Sequence, residues 1–139
     1  MGAESTKSIF SLASRLATAG QTELALQFYL LIVELPTPTD AERRTRWLRS
    51  ANNAINAAHK LRDTEVGLRI FAKVEAFATE NPYIYHNAAC IFALVKNRAK
   101  VVECFRLARD HEYEQLAKMR TDSDLADYLS LAEVKALFS

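Results

Sequence analysis

Residues 81 to 110 read NPYIYHNAACIFALVKNRAKVVECFRLARD, and the spacing of their apolar side chains predicts two consecutive helices. Asn81-Pro82 marks the start, because asparagine is a good N-cap and proline at the first helical position gives up an N–H that has no intrahelical partner. Tyr85, Ala88, Ala89 and Phe92 then recur at spacings of three, one and three, along one side of a helix. Lys96-Asn97-Arg98 breaks the pattern, with Asn97 as a left-handed cap. A second stripe of Val101, Phe105 and Ala108 follows at spacings of four and three. The stretch is a helical hairpin whose two apolar stripes face each other.

The hairpin recurs. Moving 34 residues back from Val101, Phe105 and Ala108 lands on Gly67, Phe71 and Val74, the same small, aromatic, aliphatic order. A third copy, Ala25, Tyr29 and Ile32, lies 42 residues earlier still and follows Leu12, Ala13, Leu16 and the turn residue Gly20. The surplus of eight fits the connection opened by Pro36-Thr37-Pro38-Thr39-Asp40 and a lengthened following helix. In Tyr85, Ala88, Ala89, Phe92, Val101, Phe105 and Ala108 the hairpin resembles the tetratricopeptide repeat, a helix-turn-helix unit of 34 residues. The resemblance covers residues 7–37, 40–80 and 81–110, about three quarters of the chain. It departs from the family in lacking glycine at the second small position of each first helix, where Ala13, Ile55 and Ala89 stand, and in its irregular middle repeat. It implies an all-α fold, a right-handed α-solenoid of three repeats, with residues 1–139 forming one domain closed by a helical cap over 111–139.

Composition agrees with helix throughout: there are three glycines and three prolines, and no stretch alternates as a strand. The longest apolar run, Leu24 to Leu35, is interrupted by Gln27 and Glu34 and is too short to span a bilayer. The N-terminus lacks the basic start and apolar centre of a secretory signal, so a cytoplasmic location is expected. MGAEST fits the loose myristoylation pattern, but a serine-rich start of this kind is more often a frayed helix entry. Cys90 and Cys104 are expected to be reduced core residues, and His59, His86 and His111 are scattered. No cofactor or metal site is expected.

Between these landmarks the chain reads in order. A first helix is predicted from about Lys7 to Ala19, ending at Gly20, and a second from Thr22 that ends before Pro36. Thr39 to Glu42 forms a capping box that opens a third helix running to Leu61. Asp63 caps a fourth, in which Gly67 is expected to let the two helices of the middle hairpin approach closely. The lengthened third helix carries Arg43, Arg44, Arg46, Trp47 and Arg49. Arg43, Arg46 and Trp47 form a candidate secondary interface for a partner or for self-association, since tryptophan and arginine anchor interfaces; the alternative is Trp47 packed on the preceding helix with the arginines in water. In the tail, Ser130 to Glu133 is a second capping box. Leu116, Leu125, Leu129, Val134, Leu137 and Phe138 are expected to cover the last repeat, with the acids pointing outward.

In the family that the chain resembles, the first helix of each pair lines a concave groove. That implies Lys7, Phe10, Ser11 and Ser14, then Asn52, Asn53, Asn56 and His59, then Tyr83, His86, Asn87 and Cys90. Of these, Asn52, Asn53, Asn56, Tyr83, His86 and Asn87 are the candidate binding residues. An asparagine amide both donates and accepts, which suits it to grip the main chain of an extended peptide. Family members that hold the C-terminal carboxylate of cytosolic chaperones use lysine, asparagine and arginine at five groove positions, of which only Asn53 matches. The expected function is therefore a protein-interaction adaptor or scaffold binding a peptide segment or partner protein. The alternative is a nucleic-acid-binding helical repeat using residues 43–49. Net charge is only +1, with eight basic against four acidic residues over 41–75 and three against six over 112–139, so no continuous basic stripe supports it. Enzyme activity is not expected: phosphate-loop, metal-ligand and nucleophile-base spacings are all missing from the sequence.

Overall fold

Six long helices pair in chain order: α1 (Ala3–Thr18) with α2 (Thr22–Val33), α3 (Ala41–Lys60) with α4 (Thr64–Val74), and α5 (Tyr83–Leu94) with α6 (Arg98–Asp110). The computed structural model describes all of residues 1–139, and every regular element is helical. A 3-10 segment, Glu75–Glu80, extends α4, and three short helices close the chain: α7 (Leu116–Met119), α8 (Ala126–Leu129) and α9 (Ala132–Leu137). Helix α1 starts four residues before the expected Lys7, and the Thr6 hydroxyl bonds back to the Ala3 carbonyl at 2.8 Å. No helix is long and apolar enough to cross a membrane.

The same turn closes all three hairpins. Gly20, Arg62 and Lys96 sit at φ +83°, 59° and 58°, each two residues beyond the end of its helix. The next N–H in each case, from Gln21, Asp63 or Asn97, reaches back to the carbonyl of Leu16, Ala58 or Phe92 at 2.8 to 2.9 Å. This is the left-handed cap that satisfies the orphan carbonyls at a helix end. Asp63 and Asn97 then cap the following helix by accepting from Val66 N and Lys100 N. The left-handed residue is thus Lys96 and not Asn97, whose side chain serves the next helix instead. Of the other expected caps, the Thr39 box is not formed, because Asp40 holds the cap position and accepts from Arg43 N at 2.9 Å, and Asn81 makes no side-chain cap. The Ser130 box is not formed, because Leu131 holds the cap position and Glu133 turns to Arg98.

The three turns are separated by the 42 and 34 residues found between the sequence copies, and the core keeps that register. Ala13, Ile55 and Ala89 of the first helices are fully buried, as are or nearly are Ala25, Gly67 and Val101, then Tyr29, Phe71 and Phe105, then Ile32, Val74 and Ala108. Helices α1, α3 and α5 also touch one another in sequence, so each hairpin rests on the next. Gly67 makes its close approach between hairpins rather than within one: a Cβ there would lie 2.7 Å from Ile91 Cδ1 of α5.

The surplus in the middle hairpin is the first two turns of α3, which lie against the end of α2. Trp47 is buried and donates its Nε1–H to the Val33 carbonyl at 3.0 Å, satisfying one of the acceptors that α2 leaves open. Its ring meets Phe77 of the 3-10 segment edge-on at 5.9 Å, and Arg44 lies over Phe77 while binding Glu80.

The tail packs on α6 and on the end of α5. Leu125 and Val134 are buried, Phe138 meets Phe105 edge-on, and Arg120 lies over Phe138 with its guanidinium carbon 4.2 Å from the ring centroid. Leu116, Leu129 and Leu137 are partly covered. Outside this apolar seam, Arg98 grips Glu133 with bonds of 2.7 to 3.1 Å, and Arg109 donates to the Leu137 carbonyl. The acids do not all face outward: Asp122 turns in toward α5.

Candidate functional site

Helical periodicity places Asn52, Asn53, Asn56 and His59 on one face of α3 and Tyr83, His86, Asn87 and Cys90 on the neighbouring face of α5. The face is polar because the opposite sides of both helices are taken up by the core. Its amides are joined into a ladder. The Asn87 amide donates to Asn52 Oδ1 at 2.7 Å, and the Asn53 amide donates to the Tyr29 hydroxyl at 3.2 Å. Ser14 of α1 shares a further bond of 3.0 Å with the same hydroxyl. The ladder therefore has two separate parts, one joining α1, α2 and α3 through the Tyr29 hydroxyl and one joining α3 to α5. Asn53 and Asn87 are half-buried and internally bonded, not freely projecting as a pair of equivalent amides. A hollow between α1 and α3 is lined by Ser14, Thr18, Tyr29, Asn53, Asn56 and Lys60.

At the far end, the chain's own tail bonds to the face. Tyr83 donates to Glu114, His86 Nδ1 shares a bond of 2.8 Å with the Tyr113 hydroxyl, and His86 Nε2 lies 2.7 Å from Asp122 Oδ2. Tyr83 and His86, expected to meet a ligand, instead hold residues 113–122 in place. A second hollow between α5 and the tail is lined by Tyr83, His86, Asn87, Tyr113, Lys118 and Asp122.

Cys90, one turn beyond His86, is drawn into the same neighbourhood. Its thiol points at Asp122 Oδ2, 3.8 Å away. Burial, and then the Asp122 and Asp124 carboxylates, push the thiol far above its ordinary value; Cys104 is raised in the same direction, chiefly by burial. Neither acts as a free thiolate nucleophile in this setting. Burial pulls the Asp122 carboxyl upward, but the bonds from His86 and the Asp124 N–H outweigh it and leave the carboxyl below the usual range. On the other side of Cys90, His59 Nε2 is buried without a hydrogen-bond partner, 3.8 Å from Asp124 Oδ2. Histidines that are far apart in the sequence thus converge on one cysteine and two aspartates. The signal was absent from local spacing because His59, Cys90 and Asp124 come from α3, α5 and the tail.

The candidate secondary interface is rearranged by burial. Trp47 forms part of the floor of a hollow lined by Met1, Thr6, Ile32, Leu35, Arg43 and Arg46, and presents almost no surface. Arg46 is partly covered and binds Glu42 and the Thr6 hydroxyl, while Arg43 is exposed beside Asp40. Arg49 lies over Phe10. No protein-family model, curated protein or solved structure matches this chain.

Proposed function

We propose that the chain is an interaction module of the tetratricopeptide kind, a right-handed solenoid of three hairpins with a helical cap, acting as an adaptor or scaffold. Its ligand is an extended peptide segment of a partner protein, laid across the face of α1, α3 and α5. The observation that carries this reading is the unsatisfied side of the amide ladder. Asn56 makes no side-chain bond, and Asn53 and Asn87 each use their NH2 group internally while leaving Oδ1 unbonded. Fixed acceptors at the open edge of an ordered ladder suit the N–H groups of an extended main chain. The internal bonds hold Asn53 and Asn87 in place, which lowers the ordering cost of binding there.

Nucleic acid is the weaker occupant, because Arg44, Arg46 and Arg49 are engaged with Glu80, Glu42 and Phe10 and cannot all turn to phosphates without breaking those contacts. The test is selection of ligands from a randomised peptide display library, followed by titration of a selected peptide into the parent protein and Asn56→Ala. Loss of one main-chain bond weakens affinity by about tenfold. Equal affinity of the two proteins for every selected peptide contradicts the proposal.

A further inference from the structure

We infer that His59, Cys90 and Asp124 form a binding site for a zinc-type divalent cation. Their ligand atoms lie within 4.8 Å of one another, and His59 Nε2 stands 3.8 Å from Asp124 Oδ2. Ligands bound to zinc at about 2.0 to 2.3 Å stand about 3.3 to 3.8 Å apart around a tetrahedron, so small side-chain rotations bring these three onto a common centre. An imidazole, a thiolate and a carboxylate form a donor set that favours zinc over magnesium or calcium.

The decisive observation is the imidazole nitrogen. His59 Nε2 is buried and has no hydrogen-bond partner, although its side chain is 13% exposed overall. A buried acceptor or donor left unpaired is costly, and native proteins rarely keep one without use. The neighbouring set of His86, Cys90 and Asp122 is equally close but already bonded within itself and to Tyr113, so it needs no ion. Cys90 is common to both sets. When the metal–sulfur bond forms, the thiol proton leaves to solvent and the sulfur gives up its contact with Asp122.

The hollow beside the site opens to solvent at Asp124 and is also lined by Arg62, Lys96, Asp127 and Tyr128. Asp124 and Asp127 offset Arg62 and Lys96 there, and the thiolate that compensates the ion's charge forms only as the ion displaces the Cys90 proton. A fourth position on the solvent side is left to water. The consequence is mechanical: one ion joins α3, α5 and the tail, and fixes the cap against the hairpins.

The experiment titrates the chelator-treated protein with zinc chloride against a chromophoric chelator, and with cobalt chloride in parallel. One equivalent binds, and cobalt gives the intense near-ultraviolet band of a thiolate ligand. Cys90→Ser removes that band, and Cys90→Ser and His59→Gln each weaken zinc binding at least about a hundredfold, the upper range for losing even an outer-shell partner. His111→Gln, which removes an exposed histidine, leaves binding unchanged. Thermal melts without metal confirm that each variant is folded; should Cys90→Ser not fold, the cobalt spectrum of the parent decides. Failure to bind, binding that survives both substitutions, or a cobalt complex without a sulfur band overturns the inference.

Discussion

The Asn87 side-chain amide donates to Asn52 Oδ1 at 2.7 Å, joining the first helix of one hairpin to the first helix of the next. This bond makes the polar face part of the framework. Asn87→Ala is therefore expected to cost about 0.5 to 1.5 kcal/mol of stability, the worth of a typical internal hydrogen bond. A double-mutant cycle with Asn52→Ala in urea denaturation is expected to show coupling of about 0.5 kcal/mol or more. Strict additivity of the two substitutions would mean that the bond is absent in solution.

Gly67 supports a second prediction, now placed between hairpins. Gly67→Leu overpacks the crossing of α4 with α5 and lowers stability by about 1 to 3 kcal/mol. Gly67→Ala gains helix propensity of about 1 kcal/mol but drives a Cβ to 2.7 Å from Ile91 Cδ1, the movable end of a side chain. Removing that methyl with Ile91→Val is expected to make Gly67→Ala more favourable than it is alone. Should Ile91→Val leave the effect of Gly67→Ala unchanged in thermal melts, the contact assigned here is wrong.

The turns give a third. Gly20 at φ +83° has open space around it, so the Cβ of Gly20→Ala meets no neighbouring residue but strains its own left-handed backbone, at a cost of about 1 to 2 kcal/mol. At Lys96 the penalty is already present in the parent, and Lys96→Gly is expected to be neutral or to stabilise by up to about 1 kcal/mol. Chemical denaturation of both variants checks the pair, and opposite signs to these would remove the case for a shared turn.

Much of this architecture was legible. The apolar positions of three hairpins fall in one register because burial acts through helical periodicity, which is local. Gly20 and Asp63 announced their turns through backbone chemistry alone. Lys96 and Arg62 did not, since any residue occupies a left-handed cap when the flanking helices demand it, and sequence preference then pointed one residue too far, to Asn97. Trp47 was ambiguous because surface anchors and core fillers have the same composition; its Nε1 bond to Val33 depends on how α2 meets α3. The amide ladder, the docking of Asp122 and Tyr113 on His86, and the meeting of His59, Cys90 and Asp124 all depend on the path of the tail. That path is set by packing over long separations, which no local spacing records.

Trp47 offers a fourth prediction. As the single tryptophan, it reports its own environment. Its emission is expected to be blue-shifted and resistant to iodide quenching in the folded protein. Trp47→Phe removes the donor to the Val33 carbonyl and leaves a gap beside Phe77, with a loss of about 2 kcal/mol or more. A quenchable, red-shifted emission would return this residue to the surface and revive it as an interface anchor.

The claim that the face of α1, α3 and α5 holds an extended peptide is tested most directly by nuclear magnetic resonance of the asparagine side-chain amides. A peptide selected from a random library is titrated into isotopically labelled protein while the NH2 resonances are followed. Asn53, Asn56 and Asn87 are predicted to shift together and to saturate at one equivalent, with Asn81 and Asn97 unmoved. Saturating shifts confined to the Arg43 and Arg46 region, with these three amides unchanged, would contradict the account.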